Sequence, residues 1–264
     1  MVPAASGESA PPDAADPYFM ESLARGLSVI RAFGRGRTRL SGADVAAITG
    51  LSRAAARRCL HTLRVLGYAR ATDGAFELTP AVLGLGQSYV GSVSIASVAQ
   101  PVIERVAEQL QESLAVAVLD GEEVVFVARA AMRRILSVEV SIGGRLPAAY
   151  TASGRVLLAC AADEIRTGFF ARVRLSRHTS RSVVDKRELR AEIDRVREQE
   201  LAIIDQELEL GLRSMAVPVR RLDGVVIAAL NVGVQAARVD TRTMQRDFLP
   251  VMREAAEQIG RAIG

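Results

Sequence analysis

The sequence predicts an α+β protein in two parts: a small helical module with a β-hairpin, then a larger α/β domain whose helices bracket a central antiparallel sheet. Three observations predict it. Near the start, apolar residues recur at three- and four-residue steps between Gly and Ser punctuation, the mark of short amphipathic helices. Beyond residue 110, runs of Val, Ala and Leu joined by Asp-Gly turns read as strands in hairpins. Amphipathic segments precede and follow those runs, and hairpins bracketed by helices stack as an α+β sandwich.

Residues 1–17 (MVPAASGESAPPDAADP) carry three acids, four prolines and no Lys or Arg, and are expected to be a disordered tail. They lack a basic start followed by an apolar run, so they do not read as a signal peptide. No stretch of about eighteen apolar residues suggests a membrane span, and a cytoplasmic location is expected. The module assigned to 18–78 begins with a helix from Met20 to Phe33, with Leu23, Leu27, Ile30 and Phe33 read as its inward face. Ser41 is the expected N-cap of a second helix that turns Val45, Ile48 and Leu51 inward, and Gly50 supplies a tight turn. Ser52 then caps a third helix, SRAAARRCLHTLRVLGY. Two short helices joined by a Gly-containing turn form a helix-turn-helix.

At about 100° per residue, Ala56, Cys59, Leu60, Leu63 and Leu66 share one face of the third helix, with Ala54, Arg57, Arg58 and His61 opposite and Arg53 and Arg64 alongside. Such a face suits the major groove of double-stranded DNA, where guanidinium groups reach guanine edges or phosphates and Ala54 permits close approach. The other reading is a solvated helix face with no function. Charge distribution favours the first: residues 18–90 hold ten Arg and four acids, whereas 91–264 hold 24 basic and 23 acidic residues, so the positive field is local. The hairpin YARATDGAFELT reads as a wing, with Arg70 and Thr72 placed to touch phosphates.

Thr79-Pro80 opens a linker helix over 79–92 with Leu83, Leu85 and Tyr89 as its large apolar residues. It is the expected subunit contact. In the domain assigned to 93–264, Val98–Leu110 is expected as a helix, LAVAVLD and EEVVFVARA as a hairpin, and Ile135–Val140 as a further strand. TASGRVLLACA and Lys186–Gln199 are expected as helices, MAVPVRR and VVIAALNVGV as the central hairpin, and Thr241–Ile263 as one long closing helix. Cys59 and Cys160 lie far apart in apolar helical patterns, expected as buried structural thiols. No Cys/His spacing suits a metal, and no cofactor motif occurs, so neither is expected.

From about residue 18 to the end the chain resembles the IclR family of bacterial transcription regulators. The resemblance rests on SLARGLSVIRAF, SRAAARRCLHTLRVLGY, LTPAVLGLGQSYV, RLPAAYTASGRVLLA and DQELELGLRSMAVPV. Within the family, SRAAARR, ARAAMRRILSV and DQELELGLRSMAVPV look most like regulators of protocatechuate, 4-hydroxybenzoate and β-ketoadipate catabolism. It implies a winged helix-turn-helix joined to a GAF-like effector-binding domain, and homodimers, often assembling as tetramers, on palindromic operators. It places the effector pocket between the helix start at Ala152 and Ser153 and the segment from Asp205 through Glu207 to Ser214. Many members have His and Lys where Tyr150 and Arg155 stand here. For a small organic acid effector, Arg133, Arg134, Arg155 and Arg213 are candidate partners, since a carboxylate in a half-buried pocket needs charge-assisted donors. The competing reading is that these arginines pair with Glu139, Glu207 or Glu209 and hold the fold.

An enzyme is the main alternative class: a small-molecule-binding α/β enzyme with a DNA-binding appendage. The sequence offers no GxSxG, no phosphate-binding glycine loop and no metal-spaced cluster in its support. His178, in RVRLSRHTSRS, reads as a solvated loop residue.

Overall fold

Two serine caps fix the reading frame of the first module. The computed structural model describes residues 17–34, 36–90, 95–132 and 141–263. Its first part runs α1 (Glu21–Ala32), β1 (Leu40–Ser41), α2 (Gly42–Thr49), α3 (Arg53–Val65), β2 (Ala69–Thr72), β3 (Ala75–Leu78) and α4 (Ala81–Val90). Ser41 Oγ accepts from Asp44 N at 3.2 Å while Ser41 N donates to Asp44 Oδ2 at 2.8 Å, a reciprocal capping box that starts α2. Gly50 ends α2 in the left-handed conformation at φ 71°. Ser52 Oγ then accepts from Ala55 N at 3.2 Å and starts α3.

The core of this unit is Val29, Ala32, Leu40, Val45, Ala46, Ala56, Leu60, Leu63 and Ala69. It corrects the expected inward faces. Leu23 and Leu27 are 59% and 44% exposed, because only the C-terminal turns of α1, at Val29 and Ala32, reach so small a core. Ile48 is also exposed, as is Leu66, the C-cap where the chain leaves α3 through Gly67 at φ 82°. The wing forms in the register Ala69↔Leu78 to Thr72↔Ala75, turning through Asp73 (φ 50°) and Gly74 (φ 76°). The two-residue β1 pairs with β3, Leu40 opposite Phe76, giving the sheet order β1-β3-β2. Tyr89 of α4 has its side chain outside the described residues.

The second compact unit begins at Val93. Its elements are α5 (Ile95–Leu110), β4 (Ser113–Asp120), β5 (Glu123–Ala130), β6 (Arg145–Pro147), α6 (Ala152–Cys160), α7 (Asp163–Arg172), α8 (Lys186–Gln199), β7 (Ala202–Asp205), β8 (Leu212–Arg220), β9 (Val226–Gln235), α9 (Thr241–Thr243) and α10 (Leu249–Ile263). The strands make one antiparallel sheet in the order β6-β5-β4-β9-β8-β7, so the hairpins β4–β5 and β8–β9 meet at its centre. Alternation along each strand sorts the side chains by face. Val116, Met215, Leu230 and Val232 pack with Ile103 of α5 and Met252 and Ile259 of α10. Ala115, Ala117, Ala216 and Ala229 face the other way, with Val156 and Leu158 of α6 and Leu189 and Ile193 of α8.

The strand expected over Ile135–Val140 lies outside the described residues, as do Arg133, Arg134 and Glu139. The closing helix is not continuous as expected. It opens into a π-helical turn over Met244–Phe248, where Leu249 N bonds to Met244 O five residues back. Pro250 follows at once; it lacks an N–H, and its ring would strike the carbonyl of Arg246 in a regular turn, so a wider turn precedes it. Cys59 and Cys160 are free and half-buried rather than fully buried, and burial pushes the Cys160 thiol upward in pKa. Among the described residues no helix is long and apolar enough to cross a membrane.

Candidate functional site

On α3, Ala56, Leu60 and Leu63 are buried while Arg53, Ala54, Arg57, Arg58 and His61 are all exposed, with the Ser52 cap exposed at the helix start. Among the described residues no carboxylate holds Arg53, Arg57 or Arg58. Arg64 Nη2 lies 3.4 Å from His61 Nδ1; with Nδ1 accepting, Nε2 carries the ring proton and faces outward as a donor. The wing differs from expectation in one respect. Arg70 is not free: its Nε and Nη2 donate to Glu77 Oε2 at 3.0 and 2.7 Å across the hairpin, and this pairing holds the Glu77 carboxyl below the usual glutamate range. Arg39, which the sequence reading passed over, braces the wing tip by donating to Thr72 O at 2.8 Å and Asp73 Oδ2 at 3.3 Å.

In the second unit the alanines facing α6 let that helix sit close to the sheet. Its entry is tight: Thr151 Oγ1 accepts from Gly154 N at 3.1 Å, and a Cβ on Gly154 would lie 2.2 Å from Ala148 O. Beside this N-terminal end the floor of Ala115 and Gly233 is left uncovered, and a cavity of about 70 Å³ opens. That is room for about five water molecules at roughly 10–15 Å³ each. Ser113, Arg129, Thr151, Tyr150, Ser214 and Asn231 supply its polar groups, and Phe126, Leu146, Ile204, Leu208 and Leu212 its apolar walls. Register sets the spacing. Arg129 is opposite Ala115, which is opposite Asn231; Ser113 is opposite Gly233, which is opposite Ser214.

Of the described residues expected at the effector site, Ser214 lines this cavity. Arg155 is 3% exposed and committed, donating from Nε to Ala149 O at 3.0 Å and from Nη2 to Glu207 Oε2 at 2.5 Å. Arg213 donates to Asp205 Oδ1 at 2.8 Å and to the carbonyls of Ala236 and Val239, and Asp205 also holds Arg181. Ala152 and Ser153 are fully buried, and among the described residues Ser153 Oγ has no hydrogen-bond partner. These acids and arginines form a brace behind the cavity wall: Arg155 pairs with Glu207, one of the acids named in the competing reading, whereas Arg213 pairs with Asp205, which was expected at the effector site. It extends through Thr179 Oγ1 and Ser182 Oγ, each donating at 2.7 Å to a carbonyl, Gln206 O and Glu207 O respectively. Tyr150 joins brace to cavity: its hydroxyl accepts from Ser176 N at 2.8 Å, its ring meets His178 edge-on at 4.6 Å, and burial raises its pKa. Arg129 and Asn231 were legible as polar residues inside otherwise apolar strand runs, a placement that needs a partner or a ligand.

A winged helix-turn-helix whose third helix exposes arginines with no carboxylate partner among the described residues, in one chain with a sheet domain that holds a mixed polar and apolar cavity, defines a ligand-responsive DNA-binding regulator. Residues 22–73 match the IclR helix-turn-helix domain, and residues 87–261 match the domain described as bacterial transcriptional regulator IclR C-terminal. The chain belongs to the IclR family and is a transcriptional regulator rather than an enzyme. It is 44% identical over 245 residues to the Pca regulon regulatory protein of Pseudomonas putida, covering 92% of this chain and 84% of that one. It is 36% identical over 246 residues to the p-hydroxybenzoate hydroxylase transcriptional activator of Acinetobacter baylyi, covering 91% of each. The crystal structure of an IclR homolog from Microbacterium hydrocarbonoxydans complexed with 4-hydroxybenzoate superposes with a TM-score of 0.78 at 28% identity, covering 90% of this chain and 97% of that one.

Proposed function

We propose that this regulator acts in the cytoplasm on genes of aromatic catabolism, binding a palindromic operator as a homodimer and responding to a small organic acid such as protocatechuate, 4-hydroxybenzoate or β-ketoadipate. The observation that carries the reading is the pairing of two differently furnished sites. Arg53, Arg57 and Arg58 stand exposed on α3 with no carboxylate partner among the described residues, while the second unit holds a cavity sized for a small molecule and lined by a guanidinium, neutral polar groups and apolar walls. In this reading residues 18–78 hold the operator through Ser52, Arg53, Ala54, Arg57, Arg58 and His61, with Arg70 and Thr72 on the flanking backbone. Residues 79–92 link the units, and 93–264 bind effector. Support for the pathway comes from the Pca and p-hydroxybenzoate regulators that the chain is similar to.

The acid must bind the DNA-competent and incompetent states with different affinity, since equal affinity shifts nothing. Footprinting of DNA flanking the protein's own gene, with and without each acid, tests the proposal. A protected inverted repeat whose occupancy or promoter opening changes with one acid is expected. Protection that ignores every acid counts against the effector reading, and no protection counts against the operator reading.

A further inference from the structure

We infer that the sheet domain carries a second surface for double-stranded DNA, an arginine-rich strip over residues 172–190 that holds the phosphate backbone without reading sequence. The near balance of charge after residue 91 hides a segregation. Residues 172–190 (RVRLSRHTSRSVVDKRELR) hold seven basic residues and two acids, whereas the rest of 91–264 holds 17 basic and 21 acidic residues. A positive strip on an otherwise negative domain draws a polyanion to one place.

The fold gathers these charges and keeps them outside. All seven basic side chains are exposed. Phe170 brings the two ends of the strip together: Lys186 Nζ donates to Phe170 O at 2.7 Å, and the Arg190 guanidinium lies 4.2 Å from the centre of the Phe170 ring, so α8 starts beside the end of α7. Between the helices the loop alternates anchors with arginines. Val173, Thr179 and Ser182 are buried, with the two hydroxyls bonded to the carbonyls of Gln206 and Glu207, while Arg174, Arg177 and Arg181 stand exposed. Cations on a pinned loop lose less freedom on binding than cations on a loose one. Two of the seven are already paired, Arg172 with Glu122 at 3.6 Å and Arg181 with Asp205. Among the described residues no carboxylate pairs with the other five. Asp185, in their midst, accepts instead from the N–H groups of Arg187 and Glu188 as the cap of α8.

The chemistry of the strip selects the partner. A protein is gripped through apolar anchors at the centre of an interface, and Val184 is the one large apolar side chain exposed over 172–190. A phosphate backbone needs no such anchor: guanidinium and hydroxyl donors suffice, and Ser176 and Ser180 are exposed among the arginines. A duplex is also at hand whenever the chain occupies an operator.

Anisotropy titration of the full chain with a random-sequence duplex, at several salt concentrations, tests this. Arg174→Gln, Arg177→Gln and Arg187→Gln are made together; circular dichroism and thermal unfolding should match the wild type, and if the fold is lost, Arg174→Gln with Arg187→Gln is read instead. A control with Arg242→Gln, Arg253→Gln and Arg261→Gln removes the same charge from exposed positions on α9 and α10. At about 0.1 M salt the strip variant should bind the duplex about tenfold or more weakly, and its slope of log K against log salt should be shallower by about 2 or more, as the loss of phosphate contacts at about 0.9 each requires. The control should change the slope by less than about 1. An unchanged slope in the strip variant, or an equal change in the control, overturns the inference. So does loss of poly-L-glutamate binding with duplex binding intact, which assigns the strip to an acidic protein surface.

Discussion

Arg57 and Arg155 carry the same group and do opposite things, and what decides is the neighbour. Arg57 stands exposed on α3 with no carboxylate beside it among the described residues, whereas Arg155 is enclosed against Glu207 and a backbone carbonyl. Changing Arg53, Arg57 and Arg58 together to alanine should abolish operator binding in a folded protein. Singly, each base-reading arginine should cost about 1–3 kcal/mol and relax specificity at one position, and each phosphate contact should flatten the salt slope, measured by titration at several salt concentrations. Removing one member of the buried Arg155–Glu207 pair acts on stability instead, since it strands a charge. Leu60 is fully buried at the meeting of α1, α2 and α3, and Leu60→Ala should destabilise the first unit by about 2–5 kcal/mol in denaturant unfolding. The outward arginines of α3 were legible because helical periodicity alone separates its two faces. The sheet-domain arginines were not, because register across strands distant in sequence decides which of them reaches the cavity.

Helix starts were the most legible elements. Ser41 and Ser52 cap α2 and α3 through the side-chain bonds that their positions foretell, and Asp185, which the sequence reading passed over, caps α8 in the same way. Asp185 Oδ1 accepts from Glu188 N and Arg187 N, and these bonds hold its carboxyl below the usual aspartate range. The sign follows: the cap's contribution is full above the ordinary aspartate pKa and is lost as pH falls through the lowered one. The difference in Tm between wild type and Asp185→Ala should therefore stay level at neutral pH and shrink only in acid. At α6 the constraint is steric rather than electrostatic. Because Gly154 meets the Ala148 backbone, Gly154→Ala must push the helix off the turn, and it should cost about 1–3 kcal/mol and weaken effector binding, read by thermal unfolding and calorimetry. Elements the sequence hid were those too short to show a period, such as β1 and β6, and the π turn over Met244–Phe248, whose cause is a single proline, Pro250, just after it.

At the scale of the molecule, the division into a DNA-reading module and a sheet domain was legible from charge distribution and the change of hydrophobic period. What lay beyond it was which apolar residues the folded chain would leave uncovered. Leu23 and Leu27 on α1 and Leu83 and Leu85 on α4 are exposed within the first unit, and under the proposed homodimer they are the apolar residues offered to a second copy. Light scattering at micromolar concentration should give a dimer, and Leu23→Glu with Leu83→Glu should shift it toward monomer and weaken operator binding; a wild-type monomer with single half-site footprints would reject the assignment. The sheet order has a consequence for biosynthesis. β4 pairs on one side with β5, which follows directly, but on the other with β9, Ser113 opposite Gly233. At about 5–20 residues per second, the ribosome delivers that partner roughly ten seconds later. Through that interval the nascent hairpin keeps an open edge at what will be the middle of the sheet, so chains that stall before β9 should be the ones that chaperones hold or proteases remove.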